Sequence, residues 1–168
     1  MSLEKKYFQL IFAITQDENL SNQLATDLQE SNNNPSAFYQ KHKMNHFENR
    51  GINEPGNSEQ TICYLLDKLE EHEFLCELDY HADAEELNDA IKLLSKGKIK
   101  EDLISEEDEQ DADGMFELIF DAEDYLEEYN LAIVQFPLES DSHPISIVSL
   151  EKSEEIQTMI DELFEGEE

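Results

Sequence analysis

The sequence is poor in positive charge. It holds eleven Lys and Arg residues against forty-two Asp and Glu, a net charge of −31, and Arg50 is the only arginine. Small soluble domains carry a net charge of about 2–8 in magnitude. Such a surface repels a phosphate backbone and an anionic leaflet, so direct nucleic-acid binding and membrane binding are both excluded as expectations. Tryptophan is absent, and glycine and proline number only five and four. With so few breakers the chain has no collagen-like or linker-like tract. Cys63 and Cys76 are the only cysteines. Two cysteines in 168 residues make no disulfide framework and read as free buried thiols. No apolar run approaches the ~18–20 residues that span a bilayer. The start, Met1-Ser2-Leu3-Glu4-Lys5-Lys6, lacks the apolar stretch of a secretory signal, and the expected compartment is the cytoplasm.

The acids are present in quantity but unevenly placed. Residues 1–100 contain 18 acids and 10 basic residues, a net of −8. Residues 101–168 contain 24 acids and the single Lys152, a net of −23. Asymmetry of this kind points to an interaction surface for a positively charged partner. The plain alternative is a solvated surface that keeps the protein soluble.

Hydrophobic periodicity predicts a mainly helical α+β protein. It is a single domain over residues 1–168, with a helical N-terminal part (1–57) and an α+β part (58–168) containing an acidic loop at about 101–114. Leu3, Tyr7, Leu10, Ile11 and Ile14 recur at helical spacing. Thr15 and Glu18 read as a capping box opening a second helix to about Gln29. Pro35 suits the first position of a third helix reaching about Phe47, and residues 49–57 read as a loop. Ser58 is placed to cap a fourth helix, and Asp83 with Glu86 to cap a fifth. Residues 74–80, 131–136 and 145–150 read as strands, the last two close enough to pair antiparallel. Ser153 is the expected cap of the last helix. The fold class is therefore α+β, mainly helical with a small, mostly antiparallel sheet of about three strands, and helices on one face of it.

No catalytic motif emerges, so an enzyme is not expected, and neither is a cofactor. Glu109-Gln110-Asp111-Ala112-Asp113-Gly114 resembles the opening of a calcium loop, but its twelfth position is Phe120 and lacks the bidentate carboxylate. His42 and His46, four apart on a helix, have the spacing of metal ligands. With nothing to complete the site, they read as surface histidines. Asp79 and Asp83 are the least implausible acid/base pair.

The candidate partner-binding residues are acidic. Glu106, Glu107, Asp108, Glu109, Asp111 and Asp113 form a mobile run leading into a helix over residues 115–129. Met115, Leu118, Ile119, Ala122 and Leu126 face inward on that helix, and Asp121, Glu123, Asp124, Glu127 and Glu128 lie opposite. Tyr125 and Tyr129, four apart, are placed to flank the patch as aromatic anchors.

Residues 74–79, residues 131–136 and Asp141-Ser142-His143-Pro144-Ile145 occur in the order strand, capped helix, acidic insertion, helix, strand, turn, strand, helix. Over a little more than half the chain this order resembles a family of small bacterial domains of uncharacterised function. More loosely, the chain resembles the acidic immunity proteins of bacterial polymorphic toxin systems. That resemblance implies a protein-binding inhibitor that captures a basic toxin, such as a nuclease-type effector, and occludes its active site. A DNA mimic occupying a nucleic-acid-binding protein is the first alternative. An uncharacterised housekeeping domain with weak divalent-cation binding is the second.

Overall fold

A computed structural model describes residues 1–56 and 59–165. Helix α1 (Leu3–Thr15) is capped by Ser2 and stops where Gln16 turns left-handed. Helix α2 (Glu18–Asn33) is capped by Asp17, whose carboxylate accepts the Leu20 N–H at 2.9 Å. Thr15 is not the cap; its hydroxyl accepts the Asp17 N–H instead. The helix runs past the expected end at about Gln29 to Asn33, where the Ser31 hydroxyl meets Thr61 and the buried Gln60 amide. Helix α3 (Pro35–His42) begins with proline at its first turn, as expected. It then widens into one π turn (Lys43–Phe47) and a 3-10 turn (Glu48–Arg50), which ends at Gly51 with φ +72°. The π turn lets Phe47 stack on Tyr39, ring centroids 5.5 Å apart, while His46 faces α4.

Helix α4 (Gln60–Glu71) buries Ile62, Cys63, Tyr64, Leu65, Leu66 and Leu69. Ser58, its expected cap, lies outside the described residues. Strand β1 is only Cys76–Leu78, shorter than predicted. Helix α5 (Ala84–Leu94) opens on the predicted box, in which the Glu86 N–H donates to Asp83 and the Asp83 N–H to Glu86, both at 3.0 Å. Helix α6 (Glu106–Asp111) forms in the middle of the expected acidic loop. Helix α7 (Met115–Glu127), strand β2 (Leu131–Gln135), strand β3 (His143–Ser149) and helix α8 (Leu150–Phe164) complete the chain. Ser149, not Ser153, precedes the last helix, because β3 runs straight into α8 with no connecting loop.

The sheet has the order β1-β3-β2 and is antiparallel throughout. Leu131 pairs with Ser149, Ile133 with Ile147, and Cys76 with Ile145. Strand side chains alternate between faces. Leu78, Leu131, Ile133 and Ile145 therefore pack on α5 and α7, and Val134, Phe136 and Val148 pack on α1, α4 and α8. Helices thus cover both faces of the sheet, not one. The strands carry apolar residues on both faces, as in a central layer buried from each side. The fold class is α+β, mainly helical around a three-stranded antiparallel sheet. Among the described residues no helix is long and apolar enough to cross a membrane.

Candidate protein-binding face

The acidic segment is held in place by its neighbours. Asn88, buried on α5, donates to the Ile104 carbonyl and accepts the Leu103 and Ile104 N–H groups, each at 3.0 Å. Ile99 and Ile104 anchor the same stretch in the core. Ser105 then caps α6, its hydroxyl accepting the Asp108 N–H at 3.1 Å while Asp108 accepts the Ser105 N–H at 2.8 Å. Four acids in the first turn of α6 sit at the positive end of the helix, where a carboxylate is stabilised. The Tyr125 hydroxyl on α7 donates to Asp108 at 3.2 Å, and Glu109 accepts the first N–H of α5 at 3.4 Å. The expected mobile run is consequently an ordered helix tied to α5 and α7.

The structure brings the candidate acids together on these two helices. Glu106, Glu107, Glu109 and Asp111 are exposed on α6, Asp108 is half-buried, and Asp113 is exposed in the connection to α7. On α7, Asp121 and Glu123 are half-buried and Asp124 and Glu127 exposed; Glu128, also exposed, ends the helix. Among the described residues none of these acids forms an ion pair with a Lys, Arg or His. The sequence offers no Lys or Arg from residue 101 to 151. Partial burial, then the charges of Asp124 and Glu127, push the Glu123 carboxyl above its ordinary value. Asp108 moves the other way, held below the carboxylate range by the Ser105 N–H and hydroxyl and then by Tyr125.

The two tyrosines act differently from the expectation. Tyr125 donates to Asp108, and Tyr129 donates to Glu101 through a short hydrogen bond. Both phenols are raised in pKa by these carboxylates. They brace the face internally. The most exposed aromatic groups of α7 are Phe116 and Phe120, at 67 % and 60 % exposure, against 38 % for Tyr125. The sequence did carry a signal for them. The inward set of α7 was already complete without Phe116 and Phe120, which fall at helical spacing with Glu123 and Glu127.

The weaker candidates resolve into structural roles. Glu109 and Asp111 lie on α6 two residues apart, and such side chains do not face each other on a helix. The calcium-like segment therefore forms no loop around a cation. Asp79 accepts the His81 N–H at 2.8 Å and Asp83 caps α5, so each is engaged locally. His46 is not a surface residue; it is 5 % exposed with Nδ1 3.0 Å from Asp67. His42 is half-buried against Phe38 and Tyr64, its Nε2 buried without a hydrogen-bond partner among the described residues. Burial, then the neighbouring His46, holds the His42 pKa below the ordinary histidine value. Both cysteines are free. Burial pushes the Cys63 thiol up to about 12 and the Cys76 thiol to about 11, which leaves them inert at neutral pH.

One cluster was not foreseen. Arg50, the single arginine, reaches Asp67 through Nε and Nη2 at 3.0 and 2.7 Å and Glu77 through Nη1 and Nη2 at 3.1 and 2.5 Å. Ser142 adds a hydroxyl to Glu77 at 2.8 Å. Burial opposes the charge on Arg50, but the hydrogen bonds it donates to Glu77 and Asp67 outweigh it and raise its pKa. Burial likewise works against ionised Asp67, and the hydrogen bonds from His46 and Arg50 prevail and hold its pKa low. The cleft alongside, ≈ 390 Å³, opens beside Asn45, Asn49, Glu70 and Glu71. The guanidinium fork is spent on the protein's own carboxylates, so it ties the 3-10 turn to α4 and β1 instead of presenting a free cation to a ligand.

The class is thus a small α+β protein with helices on both faces of a three-stranded sheet and an ordered acidic surface. The chain belongs to the family described as a domain of unknown function, DUF6630, whose match extends over residues 6–164. No curated protein and no solved structure matches it.

Proposed function

We propose that the chain is a protein-binding module that captures a positively charged protein on the α6–α7 face, most concretely as an immunity-type inhibitor of a basic toxin. The observation that supports this is the order of α6. Like charges crowded on a fixed surface repel, and that repulsion lowers the stability of the compact state. A loose loop would relieve it. Here Ser105, Asn88 and Tyr125 instead hold the carboxylates in place without a compensating cation. Solubility alone requires no such arrangement. A preformed field of one sign raises association rates with an opposite field by roughly 10–10³-fold. Bulk of the bound face over the partner's active site would then supply inhibition. A DNA mimic is the less favoured reading, because Phe116 and Phe120 interrupt the acids with bare aromatic surface that a phosphate backbone does not present.

The test is co-purification with the product of the adjacent gene, repeated with the triple substitution Asp121→Asn, Asp124→Asn, Glu127→Gln. Capture that weakens steeply with salt and is lost in the triple variant supports the reading. An adjacent gene whose product is neither basic nor toxic to the cell counts against the immunity role. Competition with duplex DNA for several unrelated DNA-binding proteins would favour mimicry instead.

A further inference from the structure

We infer that Phe116 and Phe120 are the desolvated anchors of this face and that they receive a basic amphipathic helix of the partner. The inference rests on the proposed capture of a basic protein and specifies the partner's chemistry. The two rings lie one turn apart on α7, about 6 Å along the axis. They are 67 % and 60 % exposed, while the opposite side of the same helix is in the core through Met115, Leu118, Ile119, Ala122 and Leu126. Within the protein, neither ring has a stacking partner among the described residues.

Helical spacing continues the row to Glu123 and Glu127 and places Glu117 and Asp124 beside it. The apolar strip is therefore bordered by carboxylates. Its complement is an apolar stripe bordered by lysine or arginine, which is the pattern of a basic amphipathic helix. A second copy of this chain fails that requirement, since each copy carries −31 and would bring acids against acids. A nucleic acid fails it by sign, and an anionic membrane by the same repulsion. Aromatic side chains at the centre of a contact carry much of its binding energy, whereas the charged rim chiefly sets the rate of encounter and the partner selected.

Isothermal titration calorimetry at fixed salt with two helical-length peptides tests this on the whole protein. One peptide has leucines at three- and four-residue spacing with lysines between them; the other replaces each leucine by serine and keeps every lysine. The leucine peptide is expected to bind at least about tenfold more tightly than the serine peptide. That preference should vanish in Phe116→Ala/Phe120→Ala and persist in Met44→Ala, a control at another exposed apolar side chain. Both peptides should weaken together in the Asp121→Asn/Asp124→Asn/Glu127→Gln protein. Equal affinity for the two peptides, unchanged by the phenylalanine substitutions but lost with the acids, overturns the anchor inference and leaves charge capture standing. No binding of either peptide overturns both. Because both rings project from the surface, unchanged thermal melting of the double variant is expected and confirms that a lost preference is not lost folding.

Discussion

Two charged regions on opposite sides of the sheet make opposite use of charge. On the side of α1, α4 and α8, the only arginine is half-buried among Asp67, Glu77 and, through Asp67, His46. Each charge of that cluster has a partner, and the residues concerned are between 5 % and 21 % exposed. On the side of α5, α6 and α7, the acids face solvent and none from Glu106 to Glu128 has a cationic partner among the described residues. Charge on the first side joins elements distant in sequence, since Arg50, Asp67, Glu77 and Ser142 come from four separate segments. Charge on the second side strains the elements that carry it. The lesson is that the excess of acid is not a uniform property of this fold. The Arg50 cluster consumes its charge in cohesion, and the α6–α7 face keeps its charge available.

Substitution of Arg50 by Met should break the first side most severely. It strands two largely buried carboxylates, and removal of one partner from a buried ion pair costs roughly 3 kcal/mol or more. For a domain of this size that lowers the melting temperature by roughly 6–12 °C. Arg50→Lys should recover only part of the loss, because an ammonium cannot serve two carboxylates in bidentate fashion. Thermal and urea unfolding of the two variants measures both effects. A melting temperature within a degree of the parent would show that the cluster does not hold the faces together.

The acidic side should respond in the opposite direction. Glu123→Gln/Asp124→Asn/Glu127→Gln removes repulsion and is expected to raise the melting temperature. The same rise should appear in the parent between low salt and about 0.3 M, where the screening length falls to a few ångströms. The gain with salt should be smaller in the triple variant. Equal salt dependence in the two proteins would place the repulsion elsewhere on the surface.

The faces also differ in the sign of their pH dependence. The raised pKa of Glu123 means that stability is lowest above the folded value and is gained as pH falls through it. His42 has a depressed pKa, so the unfolded chain takes up its proton first. Its contribution is complete above about 6.5 and is lost as pH falls from there toward the folded value. Asp67, also depressed, contributes above the ordinary aspartate value and fails as pH drops through its folded one. Substitution of His42 by Phe should therefore leave a protein whose advantage over the parent widens between pH 7.5 and pH 5.5 in urea melts. A constant difference across that range would mean that His42 does not titrate differently in the two states.

The smallest effect concerns order within the acidic side. Ser105→Ala removes the hydroxyl that receives the Asp108 N–H, and loss of such a cap costs about 1 kcal/mol. Global melting should shift little, whereas hydrogen-exchange protection over residues 106–111 should fall. Intact protection would assign the order of α6 to Asn88 and Tyr125 alone.

Much of the frame was legible in the chain. Helical spacing located α1, α5 and α7; Pro35 marked the start of α3, and the pair Asp83 and Glu86 marked α5, because these signals act within one turn. The antiparallel pairing of β2 and β3 followed from their nearness in sequence. The α6 helix was hidden, since six residues with no apolar member give no periodicity, and its support comes from Asn88 and Tyr125 at sequence distances of 15–17. Arg50 looked incidental for the same reason: its partners Asp67 and Glu77 lie 17 and 27 residues away.

The sequence by itself determined the excess of acid, its concentration after residue 100 and the local starts and periods of the helices. Composition and contacts within a turn require no knowledge of the rest of the chain. Only the tertiary structure decided that the sheet is covered on both faces, that His42 and His46 turn inward, and that Tyr125 is a brace while Phe116 and Phe120 stand free. Those outcomes depend on which distant side chain arrives to bury a ring or accept a proton, and helical or strand period alone cannot specify that arrival.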